Sequence, residues 1–427
     1  MPDQRLDPFT SYTRAVTGSN VGNMLFQQAV IKTLTLPDNE LECNGYHLRP
    51  GEVDRINASC DALVLPFANQ FRTDQRATLV QLAETVERLR VPVIVVGIGC
   101  QTDPDHDYSN LDPIKDEVKR FVGAVLDRSA SIGVRGAWTA EYLCKLGFRD
   151  VEVIGCPSMY LHGAALPTPR PVARFGRDTR LTVNVSAPST QAEFSVGLAA
   201  FGQALAGAVQ AYDDVDYVPQ QNNTLGSLLL GRLRSTDEHQ LMPPPMYSRL
   251  HQLGRVTTFV DPQTWIEHLR SRQFVFGTRL HGVIAAVLAG TPAHLVAHDS
   301  RTLELARFHG IAHTEARDLD AQLEPGELYE RSNAATLLDG HSKRFETYLD
   351  FFRKNGLRNT YTDGDGGIAF EARMASIKLP GPVTSRLSWA RRSQWLAEFA
   401  THRILEPMHR PGRPTKVRPR SDRDAAT

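Results

Sequence analysis

The sequence predicts an α/β protein made of two doubly wound, Rossmann-like lobes. Short apolar runs typical of buried strands alternate with amphipathic helical patterns from about residue 15 to about residue 160. A proline-containing segment without periodicity follows, and the same alternation restarts near residue 181. Because such alternation builds parallel sheets covered by helices, two successive halves predict two lobes with a cleft between them.

The predicted domain boundaries follow these changes of pattern. We place the N-terminal lobe at residues 1–165, a linker at residues 166–180 and the C-terminal lobe at residues 181–330. Residues 331–407 are predicted to form a helical extension. Residues 408–427 are rich in arginine and proline, and we expect a disordered tail. A solubilising role would explain the tail, and contact with acidic lipid or polymer is the alternative.

Each element of the first half has a local reason. Apolar runs predict strands at residues 61–66, 92–98, 131–136 and 151–154. Leucine and valine at helical spacing predict a helix over residues 73–89. Asp112 is a good N-cap and Pro113 suits the first helical position, so a second helix is predicted to begin there. Gly147 ends the predicted helix over residues 137–146.

The second half follows the same rules. Apolar runs predict strands at residues 181–185, 215–219 and 256–260. A helix is predicted over residues 193–212, and Asp261 with Pro262 repeats the start signal of an N-cap followed by proline. Aromatic and leucine residues predict an amphipathic helix over residues 341–355, and one more helix is predicted over residues 385–405.

Composition excludes several classes of function. The 427 residues carry 48 Lys and Arg against 48 Asp and Glu, so no overall charge favours nucleic acid. The five cysteines are scattered and show no metal-ligand spacing, which fits a reducing cytoplasm. The N-terminus lacks a signal-peptide core, and no apolar run approaches the roughly 20 residues of a membrane span. We therefore expect a soluble, cytoplasmic protein.

The candidate chemistry lies in the strand–helix–strand unit of residues 273–299. A buried apolar strand leads through Thr278 into a predicted helix over residues 280–289, and Arg279 and His281 lie at the junction. Free N–H groups and the helix dipole attract anions there; arginine adds a planar fork and histidine a titratable group. The alternative is that Arg279 pairs with a surface acid and His281 caps the turn.

Six motifs occur in a distinctive order. They read GSNVGNMLFQQA, VVGIGCQ, SIGVRGAWTAEYLCKLGF, VEVIGCPSMY, FVFGTRLHGVIAAVLAGTP and HDSRTLEL. In this order the chain resembles the polysaccharide pyruvyl transferase family from about residue 17 to about residue 310, most specifically at FGTRLHG. The resemblance implies a fold similar to the GT-B glycosyltransferases. It also implies transfer of a pyruvyl group from phosphoenolpyruvate to two hydroxyls of a sugar, giving a cyclic ketal and phosphate.

Two positions depart from the pattern of many family members. Asn23 stands where many have an acidic residue, and Cys156-Pro157-Ser158 stands where many have Asp-Pro. Some members share both features, so we interpret them as features of a subfamily. Any role that depends on a carboxylate at these two positions is put in doubt.

The resemblance implies a donor site in the C-terminal lobe. Binding phosphoenolpyruvate requires at least two cationic groups, and the resemblance supports Arg279, followed by Arg135 from the other lobe. Thr278 and Arg301 complete the expected donor set. Arg301 would steer phosphate, and an ion pair with Asp299 is the alternative. We expect His281 to be the catalytic acid or base beside Arg279, or otherwise a hydrogen-bond donor that orients the ligand.

The N-terminal lobe is expected to bind the acceptor. Asn20, Asn23 and Gln101 are placed to hydrogen-bond sugar hydroxyls, or else to satisfy the backbone of their own loops. The expected acceptor is a saccharide of an exopolysaccharide, free or lipid-linked, which would bring the protein to the inner face of the membrane as a peripheral component. We expect no nucleic acid partner, no metal and no cofactor, with phosphoenolpyruvate as co-substrate.

Two other functions remain open. A nucleotide-sugar-dependent glycosyltransferase would share the two-lobed fold and an anion site in the second lobe. A non-catalytic carbohydrate-binding protein would share the fold without the reaction, and the presence of both Arg279 and His281 disfavours it.

Overall fold

The computed structural model describes residues 6–44, 48–102, 107–185, 196–231, 244–319, 322–405 and 415–417. Short parallel strands and covering helices alternate through both halves of the chain. The prediction of an α/β protein with two Rossmann-like lobes is confirmed. No described helix combines the length and the apolar character needed to cross a bilayer.

The N-terminal lobe is built on short strands and six helices within the described residues. The strands are β1 (Leu41–Cys43), β2 (Leu63–Pro66), β3 (Asn69–Phe71), β4 (Val93–Val96), β5 (Gly99–Cys100), β6 (Ile132–Val134) and β7 (Val151–Val153). The helices are α1 (Pro8–Thr13), α2 (Asn23–Leu34), α3 (Val53–Ser59), α4 (Arg76–Glu87), α5 (Lys115–Leu126) and α6 (Ala137–Lys145).

Parallel pairing organises this lobe. Strand β2 pairs with β4 and β6 pairs with β7, both in parallel. The end of β4 lies beside β6, because the N–H groups of Gly97 and Ile98 donate to the Gly133 oxygen at 2.8 and 3.1 Å. All four side chains of β4 are buried, as expected of a central parallel strand covered on both faces.

The C-terminal lobe contains a five-stranded parallel sheet in the order β13-β12-β11-β8-β9. The strands are β8 (Leu181–Asn184), β9 (Val215–Tyr217), β10 (Thr257–Thr258), β11 (Phe274–Gly277), β12 (Ala293–Ala297) and β13 (His313–Glu315). The helices are α7 (Val196–Ala211), α8 (Asn222–Leu229), α9 (Pro244–Leu253), α10 (Pro262–Arg270), α11 (Leu280–Leu288), α12 (Ser300–His309) and α13 (Pro325–Glu330). The register sets Gly277 beside Asn184, so the two central strands end at the same level.

The C-terminal extension packs on both lobes. It comprises α14 (Ala335–Lys354), α15 (Thr360–Asp363), α16 (Ile368–Ser376), β14 (Val383–Thr384) and α17 (Trp389–Leu405). Helix α14 packs on the N-terminal lobe, where Tyr348 stacks on Tyr160 with ring centroids 4.6 Å apart. Asn355, just after α14, exchanges two hydrogen bonds with Ser131, each 3.1 Å long.

The first helix belongs to the N-terminal half of the chain but packs on the C-terminal lobe. Helix α1 contacts α8 and α17 rather than the strands of its own half, and Phe9 lies 6.3 Å from Phe399 between ring centroids. The Val21 N–H donates to the Gln220 oxygen at 2.8 Å and ties the following loop to the C-terminal lobe. Contact between elements therefore does not follow the sequential division at residues 165 and 331.

Two local predictions differ from the structure. Asp112 and Pro113 lie inside a 3₁₀ helix, Ser109–Ile114, and α5 begins only at Lys115, so Asp112 is not the N-cap of α5. Of the tail, only Thr415–Val417 lies within the described residues. It forms strand β15, antiparallel to β1, where we expected disorder. Asp261, by contrast, caps α10 as predicted, with its side chain accepting from the Thr264 N–H at 2.8 Å.

Truncation of a buried aromatic on α14 should destabilise the whole protein. Phe352 is fully buried and makes an edge-to-face contact with Tyr348 at 4.9 Å. We expect Phe352→Ala to lower the free energy of unfolding by about 3–5 kcal/mol through lost burial and a cavity. Glu346→Ala on the exposed side of the same helix is the control, with a change within about 0.5 kcal/mol. Equal, small changes in denaturant melts of both variants would contradict the packing described for α14.

Candidate functional site

The candidate site lies where strand ends of the two lobes meet. Arg279 and His281 follow β11 in the C-terminal lobe, and Arg135 follows β6 in the N-terminal lobe. The three arginines Arg135, Arg301 and Arg279 all act electrostatically on the His281 ring. The structure therefore brings together four of the five residues that were predicted to bind and process the donor. The fifth, Thr278, immediately precedes Arg279 in the chain.

Arg279 is held by the end of the neighbouring strand. Its N–H donates to Asn184 Oδ1 at 2.8 Å, and its Nε donates to the Val185 oxygen at 2.9 Å. With its amide oxygen turned toward the arginine, Gln221 accepts from Nη2 at 2.9 Å. Arg279 is buried, which differs from the alternative of an arginine at the surface.

Asn184 organises the turn between β11 and α11. Its backbone oxygen accepts from the Thr278 N–H at 3.0 Å while its side-chain oxygen accepts from Arg279. Among the described residues its Nδ2 has no hydrogen-bond acceptor, although the side chain is buried. A buried amide donor without an acceptor is costly, so a ligand oxygen at this place would be favoured.

His281 is half-buried and lies in a positively charged environment. Its ring is 5.9 Å from that of Phe26, and Nε2 is 3.9 Å from Cys156 Sγ. Gly22 approaches so closely that a Cβ at this position would lie 2.8 Å from the His281 ring nitrogen Nδ1. His281 thus packs against the N-terminal glycine loop and does not cap its own turn.

The pKa of His281 differs from the expectation of a value near working pH. Burial first, and then the charges of Arg135, Arg301 and Arg279, lower the pKa of His281 to about 3. The protein's own charges therefore keep the imidazole neutral at neutral pH. An anion bound among the arginines would offset their charge and raise the pKa of the imidazole again.

Arg135 is fixed by backbone carbonyls. Its Nε and Nη2 donate to the Gly97 oxygen at 3.1 and 3.0 Å, and Nη2 also donates to the Phe67 oxygen at 3.3 Å. The side chain lies flat against Gly99, where a Cβ would come within 2.3 Å of its Cδ. The motif VVGIGCQ is therefore the platform on which Arg135 lies.

Arg301 forms an ion pair with Asp299. Its Nη2 lies 3.1 Å from Asp299 Oδ2, while the other carboxylate oxygen caps α12 by accepting from the Thr302 N–H at 2.7 Å. Burial acts to raise the pKa of Asp299, but Arg301 and His298 outweigh it and hold the pKa below its usual range. The ion pair considered from the sequence is thus present, and it orients Arg301 near His281.

Helix α12 joins the lobes through three buried polar contacts. Ser300 Oγ donates to the Thr102 oxygen and accepts from its N–H, at 2.8 and 2.9 Å. Glu304 accepts from the Thr139 N–H at 2.8 Å, at the start of α6. His309 Nε2 accepts from the Cys156 N–H at 2.9 Å. These contacts between the lobes were not predicted from the sequence.

The predicted acceptor residues occupy different surroundings. Asn20 forms a bridge with Gln221, next to the Arg279 contact, and its Oδ1 accepts from the Gly22 N–H at 2.8 Å. Asn23 is buried and its Nδ2 donates to the Thr17 oxygen at 2.8 Å, which is a contact within the loop. Gln101 Oε1 accepts from Asn69 at 2.6 Å. Binding of an acceptor by these three residues stays a prediction.

The described residues offer no evident metal centre. Nowhere in the described ranges do three or more His, Cys, Asp and Glu side chains come together in a way that could hold a metal ion. Activity without metal or cofactor stays a prediction.

Sequence comparison identifies the family to which this arrangement belongs. A family model described as polysaccharide pyruvyl transferase matches residues 19–300, which is more than half of the chain. The chain belongs to the polysaccharide pyruvyl transferase family. Membership confirms the resemblance stated from the six motifs, and it makes the protein a member of a family of transferases. A comparison with curated protein sequences found no match.

Solved structures show only distant similarity. Trehalose 6-phosphate synthase from Burkholderia multivorans is 13% identical, over 93% of this chain and 83% of its own, with a TM-score of 0.37. Anabaena HepE in complex with UDP and glucose is 12% identical, over 76% and 81%, with a TM-score of 0.37. The glycosyltransferase SnogD from Streptomyces nogalater is 13% identical, over 78% and 77%, with a TM-score of 0.30. Scores this low carry no argument about function.

Adding one methyl group under Arg135 should weaken anion binding. In Gly99→Ala the new Cβ would collide with the arginine side chain, so Arg135 must leave the Gly97 carbonyl. We expect affinity for phosphoenolpyruvate, measured by calorimetry, to fall about tenfold, with a loss of stability of about 1–3 kcal/mol. The control is Gly123→Ala in α5, where a Cβ meets nothing within 4 Å and helix propensity favours alanine by up to about 1 kcal/mol. Unchanged affinity in Gly99→Ala would remove Arg135 from the site.

Proposed function

We propose that the protein transfers a pyruvyl group from phosphoenolpyruvate to two hydroxyls of a saccharide, forming a cyclic ketal and releasing phosphate. The observation that carries this proposal is the group of three arginines, from both lobes, around one half-buried histidine whose pKa they lower. Family membership supports the same reaction class. The proposed acceptor is a sugar of an exopolysaccharide or of its lipid-linked precursor.

The charges favour a small, multiply charged anion. Phosphoenolpyruvate carries a carboxylate and a phosphate, which match the planar forks of Arg279 and Arg135. No described side chain caps the start of α11, so its N-terminal N–H groups add a partial positive charge on the same side. The Asn184 Nδ2 group supplies a further neutral donor. We assign Arg301, oriented by Asp299, to the phosphate.

The proposed reaction needs one base that also acts as an acid. The carbon–carbon double bond becomes single as the methylene carbon gains one proton. The central carbon gains two bonds to sugar oxygens and loses the π bond and its bond to the phosphate oxygen. Of the two hydroxyl protons, one therefore goes to the methyl group and the other to phosphate. His281 is neutral in the protein alone, so it can accept a hydroxyl proton, and the bound anion stabilises the imidazolium that results.

The products of one reaction mixture distinguish the proposal from its main competitor. Purified protein with phosphoenolpyruvate and a matching oligosaccharide should release inorganic phosphate and add a pyruvyl ketal that mass spectrometry detects on the sugar. Thermal-shift measurements should show stabilisation by phosphoenolpyruvate and none by nucleotide sugars, because only ligands of the native state stabilise it. Consumption of a nucleotide sugar with no phosphate release from phosphoenolpyruvate would favour a glycosyltransferase instead.

Substitutions at Arg279 and His281 should affect different steps. Arg279→Lys keeps the charge but loses the planar fork, so donor binding should weaken. His281→Gln keeps a hydrogen-bonding group but cannot titrate, so turnover should fall about a hundredfold to ten-thousandfold while donor affinity changes only a few-fold. Steady-state turnover and direct donor binding are measured for both variants. If His281→Gln abolished donor binding while turnover at saturation stayed intact, His281 would be a binding residue.

The pH profile gives an independent check on His281. Its low pKa in the free protein predicts that kcat/KM shows no limb near neutrality from this residue. Because a bound trianion opposes the arginine charges, the pKa rises in the complex, and the acidic limb of kcat should move upward toward neutral pH. That limb should vanish in His281→Gln. A limb that persists unchanged in the variant belongs to another group.

A further inference from the structure

The outer face of α17 carries an unusual set of exposed side chains. The helix packs onto the body through Trp395, which is buried, and through Phe399, which contacts Phe9. On its outer side Trp389 is 79% exposed and Leu396 is 47% exposed. These two residues are seven apart, or about two turns, so they lie on the same side of the helix. Of the exposed positions between them, Ala390 and Ser393 are small, and Arg391 and Gln394 are polar.

A third exposed apolar residue extends this face. Leu230, at the end of α8, is 53% exposed. Arg392 links it to α17, because Arg392 Nη2 donates to the Leu228 oxygen at 3.4 Å while its guanidinium lies 5.6 Å from the Trp389 ring. Trp389, Leu396 and Leu230 thus form a patch around Arg392, which we term the α17 patch.

The surroundings of the α17 patch are basic. The described hydrogen bonds of the two exposed arginines go to neutral oxygens, from Arg386 to the Gln252 carbonyl at 2.8 Å and from Arg391 to the Gln394 side chain at 3.3 Å. No ion pair of Arg386, Arg391 or Arg392 with a carboxylate occurs among the described residues. The chain as a whole is neutral, whereas residues 386–427 contain ten Lys and Arg against four Asp and Glu. Positive charge is therefore concentrated at this end of the chain.

We propose that the α17 patch docks the protein on an anionic lipid surface. Tryptophan is the side chain best suited to the boundary between headgroups and acyl chains, and arginines beside it attract acidic headgroups. A second copy of the chain is a poorer occupant, since a two-fold contact would set the arginines of one copy against those of the other. The inference does not depend on the proposed reaction, although a lipid-linked acceptor would be met at such a surface.

Vesicle binding by the full-length protein tests the proposal. The protein should sediment with vesicles that contain phosphatidylglycerol and not with phosphatidylcholine alone, and added salt should release it. The double variant Trp389→Ala, Leu396→Ser should bind at least about tenfold more weakly, because two apolar side chains no longer leave water. Ile368→Ser is the matched control, since Ile368 is 71% exposed on α16, and its binding should be unchanged.

Tryptophan fluorescence separates the α17 patch from the basic tail. Trp265 and Trp395 are buried, and Trp138 lies under Arg307, so insertion of Trp389 should give a blue shift on anionic vesicles that Trp389→Phe lacks. Sedimentation without this shift, or binding unaltered in the double variant, would assign lipid binding to another part of the chain and overturn the proposal. Equal binding to neutral vesicles would also overturn it. A concentration-dependent dimer that Trp389→Ala abolishes would show that a second copy covers the face.

Discussion

Buried positive charge between the lobes is the constraint on which the rest of the site depends. Arg135 and Arg279 are both buried, and each donates a hydrogen bond to a backbone carbonyl, that of Gly97 and that of Val185 respectively. Burial of a guanidinium group costs free energy, and a bound anion would offset part of that cost. Burial and then the charges of Arg135, Arg301 and Arg279 lower the pKa of His281, so the packing of the two lobes affects the protonation state of this imidazole.

This arrangement requires a fixed position of one lobe against the other, because Arg135 comes from the N-terminal lobe and Arg279 from the C-terminal lobe. Helix α12 provides the register through Ser300, Glu304 and His309. Burial raises the pKa of Glu304 and lowers that of His309, because it disfavours the charged form of each side chain. The helix that begins beside Arg301 therefore also aligns Arg135 with the C-terminal lobe.

The parts that could be predicted from the sequence follow from local rules. Arg279, His281 and Arg135 were found because polar residues at the ends of buried strands point to a ligand site in a parallel sheet. Asn184 ends the strand β8, and the same rule could have identified it. The pKa of His281 could not be predicted, because it depends on charges brought together from three distant segments. The internal contact of Asn23 with Thr17 depends on the loop conformation, and the crossings of α1 and α14 depend on long-range packing.

The two crossings make each half of the chain incomplete by itself. Tyr348 and Phe352 belong to a buried cluster that also contains residues of both lobes, such as Ile94 and Val275, and Phe9 belongs to a cluster made largely of C-terminal-lobe residues. A chain divided at the linker would leave both fragments with apolar surface that belongs to the other. Recombination between related proteins at residues 166–180 would therefore join halves whose buried apolar surfaces do not match. Inheritance of the chain as a single unit preserves both interfaces.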